Sequence, residues 1–407
     1  MVEYVRNYHL LDKCMEDILF VIKPTEEDKK IRLGAIQEVV NFICLVGALR
    51  DAAVKPFGSF VSKLYAKSGD LDVSVELRND SGFPTSRRRK IKALEELEEV
   101  LKYTGVARDV NFIPTARVPV LKYVSNRFGI SCDISIDNYS GRIKSKVLYW
   151  ISTMDERFGD MVLLVKEWAK AQNINDPKNG TLSSYTLCLL VISHFQYCKP
   201  AILPPMKEIF YASLEEGSGG FNENHLDQIW KENVAKFRRR DIGRRNHSSL
   251  SHLLATFFEK WSTRTGQLKR TQEMTKSSCR LVNDLFDRSD VDITVNAPGL
   301  QCIASAFERA KDTIYSCKHA DRNVLLPLLC TPEVGSKLGV RATAGHHTNP
   351  AMSSQQHIHM GSTGSRPIGR LQGYISGAQA SAPHWSQQRT DQQNSWSQAS
   401  SGSTWQW

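Results

Sequence analysis

Phe57-Gly58-Ser59-Phe60-Val61-Ser62-Lys63-Leu64-Tyr65 is followed, three residues later, by Gly69-Asp70-Leu71-Asp72-Val73-Ser74-Val75-Glu76-Leu77. A Gly-Ser turn thus precedes an apolar strand carrying two carboxylates one residue apart. Alternate residues share a strand face, so Asp70 and Asp72 point one way while Leu71, Val73 and Val75 enter a core. Two carboxylates held this close repel, and each raises the cost of ionising the other. A divalent cation between them reverses that cost, and hard oxygen donors suit Mg²⁺. Gly58 lets the backbone approach a ligand closely, and Ser59 with neighbouring N–H groups suits phosphate oxygens. An Asp-x-Asp alone is a common surface feature; the turn ahead of it and the apolar run after it give it weight.

Outward from that stretch, 407 residues allow two domains and a tail. The net charge of +10 points to a polyanionic partner. No apolar run approaches the ~18 residues of a membrane span, and Met-Val-Glu-Tyr-Val-Arg lacks the apolar core of a signal peptide. The expectation is a soluble, monomeric, intracellular protein, cytoplasmic with the nucleus as a second compartment, and with no membrane partner. The nine Cys form no Cys-x-x-Cys pair, so neither a disulfide framework nor a zinc site is expected. Cys132, Cys188 and Cys198 lie in apolar runs and read as reduced core residues.

Periodicity predicts helices over residues 4–22 and Glu27–Leu45, a strand over Ala53–Phe57, the Gly-Ser turn, and a strand over Leu71–Leu77. A helix over Thr85–Tyr103 opens with Arg87-Arg88-Arg89-Lys90, and strands follow over Val106–Pro114, Val118–Val124 and Ile130–Ile136. These make an α/β catalytic domain over 25–138, its antiparallel or mixed sheet backed by two helices. From Ser140 the pattern is helical, over Lys144–Ser152, Arg157–Gln172, Leu182–Tyr197, Asn224–Arg239, Leu250–Trp261 and Leu300–Ile314, with Thr181 as an N-cap. Residues 1–24 and 139–330 are read as a second, all-helical domain, with a nucleotide in the cleft between the two. From 331 the composition turns to Ser, Gln, Gly, His and Thr, too polar to offset ordering entropy, and a disordered tail over 331–407 is expected. His346, His347, His357 and His359 in that tail read as solvated residues.

Three further clusters carry charge or hydroxyls. Lys166 and Lys170 stand one turn apart on a helix face, where two ammonium groups suit a polyanion such as a triphosphate. Asn179-Gly180-Thr181-Leu182-Ser183-Ser184-Tyr185 offers hydroxyls to phosphate and, in Tyr185, a ring to stack on a base. Phe237-Arg238-Arg239-Arg240-Asp241-Ile242-Gly243-Arg244-Arg245 is the strongest candidate for RNA, gripping phosphates without reading sequence.

The Gly-Ser turn with its Asp-x-Asp resembles the nucleotidyltransferase superfamily of DNA polymerase β-like and poly(A) polymerase-like enzymes. With the paired Lys and the Ser-Tyr, the chain is similar to the template-independent poly(A) polymerase and terminal uridylyltransferase family, of the plant type that tails small RNAs, over about residues 1–260. The resemblance implies a third carboxylate on a later strand. Asp133, in Gly129-Ile130-Ser131-Cys132-Asp133-Ile134, is preferred over its rival Asp137 because the family's residue is followed by an apolar one. It also implies that Asp70, Asp72 and Asp133 bind two Mg²⁺, with Mn²⁺ as a substitute, and that Asp133 is the general base. Lys166 and Lys170 then hold the triphosphate, Ser184 and Tyr185 meet phosphate and base, Gly58 and Ser59 line the site, and Asn138 lies near the nucleotide. Two departures stand out. Lys144-Ser145 replaces an Asn-Thr pair that contacts ribose and base in many relatives, and only Val295-Asn296-Ala297 survives of a late nucleotide-recognition segment.

The implied activity is transfer of UMP from UTP to RNA 3′-hydroxyl ends, small RNAs or their cleavage products, promoting their decay. Adenylation stays open because no residue visibly selects uracil. A catalytically inactive RNA-binding scaffold stays open because of the altered late segment. Trp385, Trp396, Trp405 and Trp407, spaced along the polar tail, are similar to the Trp hooks that dock into Argonaute proteins.

Overall fold

The computed structural model describes residues 8–77, 84–210, 223–240, 245–265, 295–316 and 321–340. All of them belong to one compact unit, Met1–Ala342; the four tail Trp, the four tail His and Arg244 lie outside the described residues.

Five strands form one mixed sheet: β1 (Ala53–Phe57), β2 (Leu71–Glu76), β3 (Ala107–Ile113), β4 (Val120–Ser125) and β5 (Ser131–Ile136), in the order β1-β2-β5-β4-β3. β2 and β5 run parallel and every other pair is antiparallel. The apolar alternation of β2 sends Leu71, Val73 and Val75 fully inside. They pack with Leu121, Tyr123, Cys132, Ile134 and Ile136 and with two helices, α2 (Glu26–Ile43) and α4 (Arg87–Thr104). Thr25 and Asp28 start α2 by exchanging side-chain and backbone hydrogen bonds, a reciprocal cap that satisfies two donors of the first turn. Short α3 (Gly58–Ser62) replaces the expected open turn between β1 and β2.

Helices form a second core: α1 (Tyr8–Ile22), α5 (Tyr139–Ser152), α6 (Glu156–Ala171), α7 (Ser184–Tyr197), α8 (Met206–Phe210), α9 (Glu223–Arg239), α10 (Leu250–Thr265), α11 (Ala297–Tyr315), α12 (Arg322–Leu329) and α13 (Pro332–Lys337). α1 packs its Leu11, Met15, Ile18 and Ile22 stripe against α6, α10 and α12. Trp168 in the last turn of α6 is edge-on to Phe258 and tilted against Phe307, at 4.8 Å from each. Such ring pairs contribute beyond the area they bury.

Three sequence expectations need correction. α5 begins at Tyr139 rather than Lys144, because the Asn138 side chain accepts from Gly141 N (3.0 Å) and starts a turn whose Ser and Gly have weak helix propensity. Ser183, not Thr181, caps α7; Thr181 is buried, its hydroxyl donating to Asp176 O (2.8 Å). The tail does not begin at 331, since α13 continues the fold. There Thr331 N and Oγ1 both donate to Glu167 Oε1 (3.0 and 2.7 Å), and Val334 is buried.

Of the expected core cysteines, Cys132 and Cys188 are buried and Cys198 is half-buried. Among the described residues no helix is long and apolar enough to cross a membrane.

Candidate active site

The parallel register of β2 and β5 sets Asp72 directly opposite Asp133. Residues opposed on adjacent strands share a face, with backbones about 4.8 Å apart, so the two carboxylates stand side by side. Asp70 precedes β2 by one residue and is exposed. Asp137 is excluded from this face. It lies past the end of β5 with φ 46°, its carboxylate accepting from Leu77 N (2.9 Å) and its carbonyl from Lys90 Nζ (3.1 Å).

Asp72 has its pKa pushed up to about 7, by burial first and then by the charges of Asp133 and Asp70. Burial raises Asp133 as well, against the opposing pull of Lys122. Lys122, opposite Asp133 on β4, forms an ion pair from Nζ to Asp133 Oδ2. Asp133 Oδ1 is buried without a hydrogen-bond partner. Oxygen-only donors, one of them an unpartnered buried carboxylate atom, fit a hard divalent cation. Among the described residues, however, no group of three or more His, Cys, Asp and Glu is arranged to hold a metal as it stands. The donor chemistry is in place, while Lys122 occupies part of it.

Gly58, the first residue of α3, closes this face next to the end of β1. Its φ is +68°, and a Cβ there would fall 2.0 Å from Asp72 Oδ2, so any larger residue is strained and must push that carboxylate aside. Gly58 N donates to Ser145 Oγ (2.6 Å), and that hydroxyl donates to Gly141 O (2.6 Å). Ser145 is buried and ties the turn to α5; Ser152 Oγ makes a second tie, to Ser62 O (3.3 Å). Ser59 is half-buried, with its carbonyl accepting from Leu64 N (3.0 Å). Arg32, 1% exposed, donates to the carbonyls of Ala66, Lys67 and Gly69 and lies over the Tyr65 ring at 4.5 Å. It therefore holds the loop that delivers Asp70 and Asp72. Sequence reading missed Arg32 and Lys122, and marked Ser145 only as a departure from the family's pair; the strand alternation of Lys122 with Leu121 and Tyr123 alone signalled an outward face.

The nucleotide candidates fall into two groups. Lys166 is half-buried and donates to Leu64 O (3.0 Å), and burial, reinforced by Lys170, lowers its pKa. It also feels the charges of Asp72 and Asp70. Lys170, on the same face, is exposed. Ser184, exposed at the start of α7, bonds to the Asn175 side chain (3.2 Å), and Lys144 Nζ lies 5.4 Å from the Tyr185 ring centre. Asn138 caps α5 and also donates to Ser135 Oγ (3.4 Å), so its amide is engaged in positioning. The surviving late segment docks next to this group. Asn296 N donates to Gly180 O (3.1 Å), and Asn296 Oδ1 caps α11 through Gly299 N (2.7 Å).

Arg238, Arg239, Arg240 and Arg245 are exposed, and Arg238 donates to Thr153 O at the C-terminal end of α5. Ser145, midway along α5, bonds to Gly58 beside Asp72, so Thr153, eight residues on, lies about 12 Å further along the helix.

Comparison with known proteins agrees with this geometry. A family model described as "Poly(A) RNA polymerase, mitochondrial-like, central palm domain" matches residues 11–153. Protein HESO1 of Arabidopsis thaliana is 38% identical over 372 residues, 86% of this chain and 72% of that protein. Terminal uridylyltransferase cid1 of Schizosaccharomyces pombe is 31% identical over 248 residues, covering 58% of this chain and 55% of that one. The crystal structure of the Cid1 poly(U) polymerase bound to MgGTP superposes with a TM-score of 0.58 at 24% identity, over 79% of this chain and 99% of that chain. Mitochondrial poly(A) polymerase in complex with ATPγS gives 0.58 at 19% identity, over 80% and 71%. These two likenesses establish the fold. The length and identity of the match to HESO1 carry the assignment further: the chain belongs to the poly(A) RNA polymerase-like family of RNA terminal nucleotidyltransferases.

Proposed function

We propose that the protein transfers UMP from UTP to the 3′-hydroxyl of RNA and releases pyrophosphate. The observation that carries this reading is the in-register pair Asp72 and Asp133 under Gly58, in a chain 31% identical to a protein named as a terminal uridylyltransferase. Asp70, Asp72 and Asp133 would hold Mg²⁺ or Mn²⁺, which when bound supplies charge neutralisation at the triphosphate and lowers the pKa of the 3′-hydroxyl. Asp133 Oδ1 takes the hydroxyl proton, and its burial-raised pKa suits a base. Lys166 and Lys170 grip the triphosphate from α6; Lys166 has two ammonium protons beyond the one donated to Leu64 O. Tyr185 stacks on the base, and Arg238, Arg239, Arg240 and Arg245 hold RNA phosphates upstream of the 3′ end. The substrates are small RNAs or their cleavage products, tailed for decay in the cytoplasm and nucleus, by a monomer that meets Argonaute through its tail Trp. In this reading residues 25–138 are the catalytic domain, 1–24 and 139–330 the helical one, and the nucleotide binds between them.

Adenylation is the second reading, because a relative named as a poly(A) RNA polymerase, Drosophila gld-2 homolog A, is 34% identical over 154 residues. Incubation with each of the four nucleotides and a labelled RNA separates the two: UTP-dependent extension is expected, and ATP preference would replace the first reading with the second. Asp72→Ala should lower extension by at least about 10³-fold with the circular dichroism spectrum unchanged; extension near the wild-type rate would remove Asp72 from the site.

A further inference from the structure

Lys122, Asp133 and Asp72 lie side by side on three adjacent strands, β4, β5 and β2, because both registers place Asp133 between the other two. The sheet therefore sets a cation on one flank of the third carboxylate and an anion on the other. Lys122 Nζ is already paired with Asp133 Oδ2, while Oδ1 of the same carboxylate is buried without a partner. The Lys122 side chain is 33% exposed, so its ammonium has a short path to water. Asp72 also feels the charges of Asp70 and, from α6, Lys166.

We propose that Lys122 is an internal counter-ion of the site: its ammonium holds Asp133 in the metal-free protein, and a divalent cation must displace it from Asp133 Oδ2 to bind. This rests on the reading that the three aspartates hold divalent ions. An unpaired carboxylate cluster in a partly buried site is unstable, and a flexible Lys on the neighbouring strand neutralises it until a stronger cation arrives. A merely structural ion pair would add stability without touching metal affinity. A counter-ion makes metal binding an exchange, and so weakens it.

The test is Mn²⁺ affinity of the full chain at pH 7 without nucleotide, measured by electron paramagnetic resonance. Lys122→Met is expected to bind Mn²⁺ roughly tenfold more tightly than wild type, since a positive charge next to the site is gone. Lys122→Gln, which keeps a donor to Asp133 and loses only the charge, carries the same expectation and serves if the Met variant does not fold. Lys122→Arg should stay within about threefold of wild type, because the charge remains. Unchanged or weaker Mn²⁺ binding in both neutral variants, with wild type binding normally, overturns the counter-ion. Absence of binding in wild type and both neutral variants overturns the metal reading as well, which distinguishes the two failures.

Discussion

On the sheet, Asp72 and Asp133 meet because β2 and β5 pair in parallel register; on α6, Lys166 and Lys170 share a face by spacing yet sit in different surroundings. Lys166 is half-buried on the Leu64 carbonyl, and Lys170 stands in water. A strand places side chains through hydrogen bonds to its neighbours, so register alone decides who faces whom. A helix decides only which side chains lie above one another, and the depth at which each is buried comes from what packs against it. The anionic half of the site is therefore built into backbone pairing, whereas the cationic half depends on the docking of α6 against the loop after α3.

Gly58→Ala strikes the sheet half hardest. The new Cβ would meet Asp72 Oδ2 and adopt a left-handed backbone, and the flexible carboxylate yields before the strand does. A loss of about 10²-fold in kcat is expected, with thermal stability reduced by only a few degrees. A steady-state assay beside a melting curve checks it, and full activity would show that Asp72 need not sit under the turn.

Lys166→Met tests the helical half. It keeps the stem packed and removes the ammonium, so the KM for the nucleotide should rise by roughly tenfold with a smaller change in kcat. An equal fall in kcat and kcat/KM at unchanged KM would instead place Lys166 in transition-state stabilisation.

The smallest effect is on stability against pH in the presence of a chelator. The Asp72 pKa is raised on folding, from 3.8 to about 7, so the folded protein binds a proton that the unfolded chain has lost. Stability should therefore fall as pH rises from about 4 through 7, by a few degrees in melting temperature. Asp72→Asn, which has no such proton, should show a flatter profile over that window; identical profiles would mean that burial does not govern this carboxylate.

Much of this was legible in the residues. β1 runs Ala53–Phe57 as its alternation and the following Gly-Ser imply, and the other strands lie within two residues of their expected ends. Helices with clear apolar stripes were equally readable. Four were not: α3 and α8 have five residues each, α13 has six, and α12 carries Pro327 inside it, so none shows a repeat over enough turns. Arg32 and Lys122 were missed, and the role of Ser145 was not seen, for a different cause. Arg32 grips carbonyls 34 to 37 residues away, and Ser145 meets Gly58 across 87 residues. Nothing local to either marks such a partner.

By itself the sequence determined which side chains share a strand face, where glycine is needed, and that two acids one residue apart precede a third on a later strand. These follow from backbone periodicity and sterics, which act over a few residues. Only the tertiary structure decided that Asp133 rather than Asp137 stands beside Asp72, that Lys122 flanks it, and that Lys166 is drawn inward while Lys170 is not. Each of these depends on strand order, register or helix docking, and those are settled by burying two cores together rather than by any single stretch of chain.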